Sequence, residues 1–266
     1  MSASTDYKGP QPQIELLNAE IPRTDVRAEE EPTVRQVNWT MCNGDFWVIA
    51  APPGAGKTDL LTTAAGLQRP AEGELILFGY PTRGATEKDL LPHRRRIGLV
   101  LEAGGRLFNE LTVAENVTLP ICYHSNCRPD SASEQAARYL EPAGLLPHAD
   151  AFPTEIHRNL RPRIALARAL ALEPEVLLLD NPLAGLDPRQ ARWWLEFLSA
   201  LVKGHSSFNR RRISVAVTTD DLRPWLEFGG RFALLKQRRW VELGSRADVE
   251  RSEDQFVKEM LGTYSD

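Results

Sequence analysis

The stretch DFWVIAAPPGAGKTDLLTTAAGL, residues 45–67, decides the fold. Phe46 to Ala51 is a nearly unbroken apolar run without alternation, as a parallel strand buried on both faces requires. Asp59 to Gly66 has helical spacing and closes on a glycine. Between them stands APPGAGKT, Ala51 to Thr58. A strand that feeds a glycine loop into a helix N-terminus sets up converging backbone N–H donors at a positive dipole end, which is what a phosphate chain needs. Gly54 and Gly56 let the backbone approach, Lys57 supplies a cation for the terminal phosphates, and Thr58 places a hydroxyl for Mg²⁺. The wider phosphate-contacting set is Ala51, Pro52, Pro53, Gly54, Ala55, Gly56, Lys57, Thr58 and Asp59. The usual pattern G-x-x-x-x-G-K-[ST] is missed at one position, because Ala51 stands where its first glycine belongs. The preceding strand and following helix outweigh that gap, and a nucleotide site is expected.

Further strands lie on either side. IELLNAEI (14–21) and VRQVNWTM (34–41) flank the charged, Pro-bounded PRTDVRAEEEP, and the second of them reads as an antiparallel edge strand. GELILFGY (73–80) follows the helix, residues 85–93 are polar, and RRIGLVLE (95–102) is a buried strand ending on a carboxylate. Leu107 to Leu172 reads mostly as helix, a subdomain at about 105–172 inserted between strands. VLLLD (176–180) and ISVAVTT (213–219) are buried strands separated by ARWWLEFLSALV, whose Trp193 and Trp194 read as core packing. RFALLKQRRWVELG (231–244) reads as a closing hairpin before a polar C-terminal helix. Residues 1–13 read as a disordered lead, and 14–266 as one domain.

Composition excludes several classes. A net charge of −4 argues against a phosphate-backbone binder, and HRRR (93–96) and NRRR (209–212) read as solvated surface, so no nucleic-acid partner is expected. Cys42, Cys122 and Cys127 are too few and odd in number for a disulfide scaffold, and Cys122, His124 and Cys127 lack a fourth metal ligand at the usual spacing. No run of about 18 apolar residues occurs, so no direct membrane insertion is expected. These features point to a cytoplasmic chain whose membrane role, if any, needs a partner.

Several collinear segments resemble the ATP-binding cassettes of ABC transporters. TDLLTTAAGLQRPAEGELILFG (58–79) is similar to the family's passage from phosphate loop to next strand, and IGLVLEAGGRLFNELTVAENV (97–117) to the stretch around its Q-loop. LARALALEPEVLLLDNPLAGLDP (166–188) resembles the helix after the signature motif, the Walker B strand and the D-loop. ELGSRADVERSEDQFVKEMLG (242–262) looks like cassettes of Mla-type phospholipid transporters. The resemblance implies an α/β P-loop NTPase cassette with a mostly parallel central sheet, an antiparallel β edge subdomain and the inserted helical subdomain. It also implies ATP and Mg²⁺ as ligands, an integral-membrane permease as partner, and a second cassette in a homodimer or heterodimer. The chain would then sit peripherally on the inner face of the cell membrane.

Matched residue by residue, the chain departs from the family where hydrolysis is performed. Asp180 is retained as the Mg²⁺-holding carboxylate of Walker B, alongside Thr58. The next residue, a glutamate acting as base in the family, is Asn181, and an amide takes no proton at neutral pH. Thr219 replaces the switch histidine, and Glu102 replaces the Q-loop glutamine; a carboxylate there either binds Mg²⁺ or repels the triphosphate. The signature LSGGQ falls on Ile156 to Leu160, so its serine and glycines are gone. Asn159 is expected to cap the following helix, and Arg158 is either a phosphate cation or a plain surface arginine. The base-stacking aromatic is missing around Ile21 to Arg23. Two readings stand: an ATPase subunit driving a permease, and a cassette that binds nucleotide with hydrolysis weak or absent and serves as a structural or regulatory partner, on a transporter or as a non-transport ABC protein. The replaced residues favour the second.

Overall fold

The computed structural model describes residues 12–24, 32–125 and 129–262. Most of the expected lead, most of the charged segment after the first strand, and Cys127 lie outside these residues. The first strand, β1, already spans Pro12–Ile21, so Pro12 and Gln13 belong to the sheet rather than to a lead. It pairs antiparallel with β2 (Val34–Cys42), while β3 (Phe46–Ala50) runs straight into the glycine loop and α1 (Lys57–Ala64). There follow β4 (Glu72–Leu77), β5 (Tyr80–Pro81), α2 (Glu87–Arg94) and β6 (Ile97–Val100). Three helices, α3 (Val113–Ser125), α4 (Pro129–Leu140) and α5 (Arg161–Leu170), precede β7 (Val176–Leu179). The chain ends with α6 (Pro188–Lys203), β8 (Ser214–Thr219), the hairpin β9 (Arg231–Lys236) and β10 (Arg239–Gly244), then α7 (Arg246–Glu250) and α8 (Gln255–Met260).

The strands form one sheet in the order β5-β4-β1-β2-β10-β9-β3-β8-β7-β6. Its β9-β3-β8-β7-β6 portion is parallel and carries the glycine loop at its centre, while the pairs β5-β4, β4-β1, β1-β2 and β10-β9 are antiparallel. VRQVNWTM is therefore not an edge strand. β2 lies between β1 and β10, joined to the latter by a single parallel bridge at Arg35 and Arg239. Its apolar residues explain the interior place, since Val34, Val37, Trp39 and Met41 are all buried.

Alternate residues of the parallel strands serve two cores, as the period of two demands. Phe46, Val48 and Ala50 of β3, with Leu177 and Leu179 of β7, pack on the side of α5 and α6. Trp47 and Ile49, with Val176 and Leu178, pack on the side of β1, β2 and α1. Trp194 of α6 is fully buried, and its neighbour Trp193 stacks on Phe197 and lies under the Arg163 guanidinium of α5 at 3.7 Å. The polar stretch 85–93 forms α2, because Thr86 and Asp89 make a capping box: Asp89 Oδ2 accepts from the Thr86 N–H at 2.9 Å, and Thr86 Oγ1 accepts from the Asp89 N–H at 3.3 Å. Among the described residues no helix is long and apolar enough to cross a membrane.

Candidate functional site

The glycine loop is built as a phosphate cradle. Gly56 is the N-cap of α1 at φ 90°, and Gly54 stands at φ 75°; both backbone angles strain any residue with a Cβ. A Cβ on Gly56 would also meet Thr33 Cβ at 2.8 Å, so the loop closes tightly against the start of β2. Its entry is pinned by the Ala51 N–H donating to Thr219 O at 2.9 Å, at the end of β8. Lys57 Nζ donates across the loop to Ala51 O at 3.1 Å, so its amine is held over the loop. No Cβ contact lies within 4 Å of the position one would take on Gly54, which leaves the loop's mouth open.

The parallel sheet brings Asp180 to this loop from the end of β7. Thr58 Oγ1 donates to Asp180 Oδ2 at 2.5 Å, and Thr218 Oγ1 donates to Asp180 Oδ1 at 2.7 Å. Thr218 in turn accepts from the Asn181 N–H at 3.1 Å, so β8 orients both residues. A hydroxyl and a carboxylate in contact beside a phosphate cradle are a fitting donor set for Mg²⁺ bound with a nucleotide. The residues present therefore fit a nucleotide phosphate chain held by the loop and a divalent cation held by Thr58 and Asp180.

Asn181 adopts φ 44°, a left-handed conformation that Asn tolerates better than most residues. Its amide lies between two carboxylates, donating to Glu102 Oε1 and to Asp220 Oδ2 at 3.4 Å each. Glu102 begins a 3-10 turn, Glu102–Gly104, that follows β6. The cleft, about 810 Å³, is lined by Arg23, Thr24, Thr33, Pro53, Gly54, Gly56, Lys57, Thr58, Asp59, Glu102, Asp180, Asn181 and Asp220. Four of these are carboxylates, against two cations, which makes a divalent ion the natural companion of any bound anion.

Other expected site residues fall differently. Thr219 is buried, donates to Asp221 O at 2.9 Å, and accepts from the Asp221 N–H at 3.1 Å and from Trp225 Nε1 at 3.2 Å. Its hydroxyl is thus consumed by local structure. Asn159 does not cap α5, which starts at Arg161 with Pro162 in its first turn and no side-chain cap. His157 takes the capping role instead, for the 3-10 turn Arg158–Leu160, its Nδ1 accepting from the Asn159 N–H at 3.4 Å. Arg158 and Asn159 do not line the cleft of their own chain, and Arg158 is exposed.

Sequence reasoning missed three supports. Asp59 accepts from the Thr24 N–H (2.9 Å), Thr24 Oγ1 (2.5 Å) and Thr33 Oγ1 (3.0 Å), tying both ends of the segment between β1 and β2 to α1. Thr218, a hydroxyl inside a fully buried strand, was the visible clue to the bracing of Asp180. Gly104 approaches the start of α5 so closely that a Cβ would stand 3.0 Å from Arg161 O and Pro162 Cα, and no signal in the sequence marked that contact.

A parallel sheet with a strand-to-helix phosphate loop and a facing carboxylate defines a P-loop nucleotide-binding protein. The model of the family described as ABC transporter matches residues 34–184, more than half of the chain. The chain belongs to the ABC transporter family, and its fold is that of the cassette. It is 31% identical over 216 residues to a methionine import ATP-binding protein MetN of Bifidobacterium longum, covering 81% of this chain and 52% of that one. It is 31% identical over 255 residues to a sulfate/thiosulfate import ATP-binding protein CysA of Mesorhizobium japonicum, covering 92% and 69%. The chain thus spans about half to two-thirds of the length of these relatives. A dimeric ATP-binding cassette solved in a post-hydrolysis state with ADP and Pi matches with a TM-score of 0.74 at 28% identity, over 85% of this chain and 95% of that one.

Proposed function

We propose that this chain is the nucleotide-binding subunit of an importer, docked on the cytoplasmic side of a membrane permease and paired with a second cassette, in which Mg·ATP binding does more than hydrolysis. The observation that carries the reading is the preformed contact between Thr58 and Asp180 over a cradle that holds Lys57. Import is supported by the names of the relatives, dimer formation by the dimeric cassette of known structure, and a permease partner by membership of the ABC transporter family. Weak hydrolysis is supported by the site itself. Asn181 offers no base, and the hydroxyl of Thr219 is engaged by Asp221 and Trp225. Loss of a general base costs about 10²- to 10⁴-fold in rate. The solute is set by the permease; the relatives are named for methionine and for sulfate or thiosulfate, and the Mla-like run at 242–262 supports a lipid as the second reading.

The test is nucleotide binding with and without the loop lysine. Saturating Mg·ATP is expected to raise the melting temperature of the chain by mass action, and Lys57→Ala to remove that rise. An identical melt for both proteins, with and without Mg·ATP, would defeat the reading. Turnover by the purified chain is expected at background. Robust hydrolysis that Lys57→Ala abolishes would instead favour a fully active ATPase.

A further inference from the structure

The carboxylates around the cleft are not equivalent. Asp59 has its oxygens occupied by Thr24 and Thr33, and Asp180 by Thr58 and Thr218. Glu102 and Asp220 are exposed, and the contact each makes with Asn181 is long, at 3.4 Å. A single amide carries two N–H groups, and here it serves one carboxylate with each. Asn181 thereby holds two negative charges side by side at the wall of the cleft next to Asp180. Lys57, the cation of the phosphate loop, has its amine bonded to Ala51 O.

Thr58 and Asp180 would hold a divalent cation, and Glu102 and Asp220 line the same cleft, so the added charge of a longer phosphate chain would meet their carboxylates. We infer that Glu102 and Asp220, aligned by Asn181, make the site select by charge. ADP is accepted with or without a divalent cation, whereas ATP is accepted well only when Mg²⁺ accompanies it. One added unit charge a few ångströms from a carboxylate changes affinity by about tenfold or more at the effective dielectric of a cleft. With Mg²⁺ present the same carboxylates attract the metal, so Glu102 both penalises free ATP and rewards Mg·ATP. The inference rests on the reading of the cleft as a nucleotide site. It adds that the residue replacing an amide at position 102 sets the choice between diphosphate and triphosphate.

Titration calorimetry of ADP and ATP, each in EDTA and in excess MgCl₂, separates the possibilities. For the unaltered chain in EDTA, ADP is expected to bind about tenfold more tightly than ATP, with Mg²⁺ strengthening ATP far more than ADP. Glu102→Gln should close the EDTA gap to within about threefold by raising ATP affinity while leaving ADP unchanged, and should shrink the gain from Mg²⁺. Asp220→Asn is an independent second variant with the same expected direction, each variant being checked for an unchanged thermal melt. Equal binding of ADP and free ATP to the unaltered chain, or variants that shift both nucleotides by one factor, would overturn the inference alone. Absence of any nucleotide binding would overturn it together with the reading on which it rests.

Discussion

Gly56 shows how much chemistry a single missing side chain carries. Its left-handed φ and the nearness of Thr33 leave no room for a methyl group, so Gly56→Ala is expected to lower stability by about 1–3 kcal/mol. It should also weaken Mg·ATP binding; chemical denaturation and the ATP-dependent melt check both effects. An alanine variant that binds Mg·ATP normally would show that the cradle does not depend on this close approach. At this scale the phosphate loop was legible in the sequence, because the glycines, Lys57 and Thr58 are contiguous and follow an apolar strand. The pairing of Thr58 with Asp180 was legible only through family likeness, since 122 positions separate them. The bonding of Asn181 to Glu102 and Asp220 was not legible at all, for it depends on where three loops end. Asn159 failed as a cap for a local reason: it lies inside the 3-10 turn Arg158–Leu160, which runs directly into α5, so the N-cap position falls on Leu160, and Pro162 in the first turn has no N–H to offer.

Helix α2 and the start of β7 are each fixed by a pair of side chains. Polar composition hid α2, yet Thr86 and Asp89 supply its capping box, and Thr86→Ala should cost about 1 kcal/mol in a denaturant melt. Arg96, just before β6, donates to both oxygens of Glu175 at 2.8 and 2.9 Å, clamping β6 to β7 at their shared start. The hydrogen bonds from Arg96 hold the Glu175 carboxyl below its ordinary pKa, with burial opposing and the charges of Arg96 and Arg211 assisting. A carboxylate whose folded pKa is depressed adds stability above its unfolded pKa and loses it as pH falls through the folded value. Glu175→Gln is therefore expected to cost about 1 kcal/mol at pH 7 after solvent screening. The two proteins should converge in strongly acidic buffer, and a gap independent of pH would exclude the ion pair as its source. Strand identity was easy to read from buried apolar runs. The interior place of β2 was not, because sheet order is set by long-range pairing that alternation alone does not encode.

For the whole molecule, the sheet separates two apolar layers, and the cleft sits where the parallel strands end above both. Trp194, fully buried on the α6 side, fills the larger layer, and Trp194→Ala is expected to cost about 3–5 kcal/mol by cavity formation. A loss below about 1 kcal/mol in a denaturant melt would mean that the layer collapses to fill the space. The cleft is lined by the phosphate loop, by residues just after β6, β7 and β8 and by Arg23, Thr24 and Thr33, with none from α6, so the loss at Trp194 is expected in stability and not in nucleotide preference. Gly104 has the widest reach of the contacts described. It lies against Arg161 and Pro162, while Arg168 of α5 donates to Arg106 O at 3.1 Å from both terminal nitrogens. The turn that carries Glu102 is thus wedged into α5 at one point and pinned to it at another, with no slack between. Whatever tilts α5 must drag Glu102 along, so the charge at the cleft wall and helix α5 share one mechanical fate.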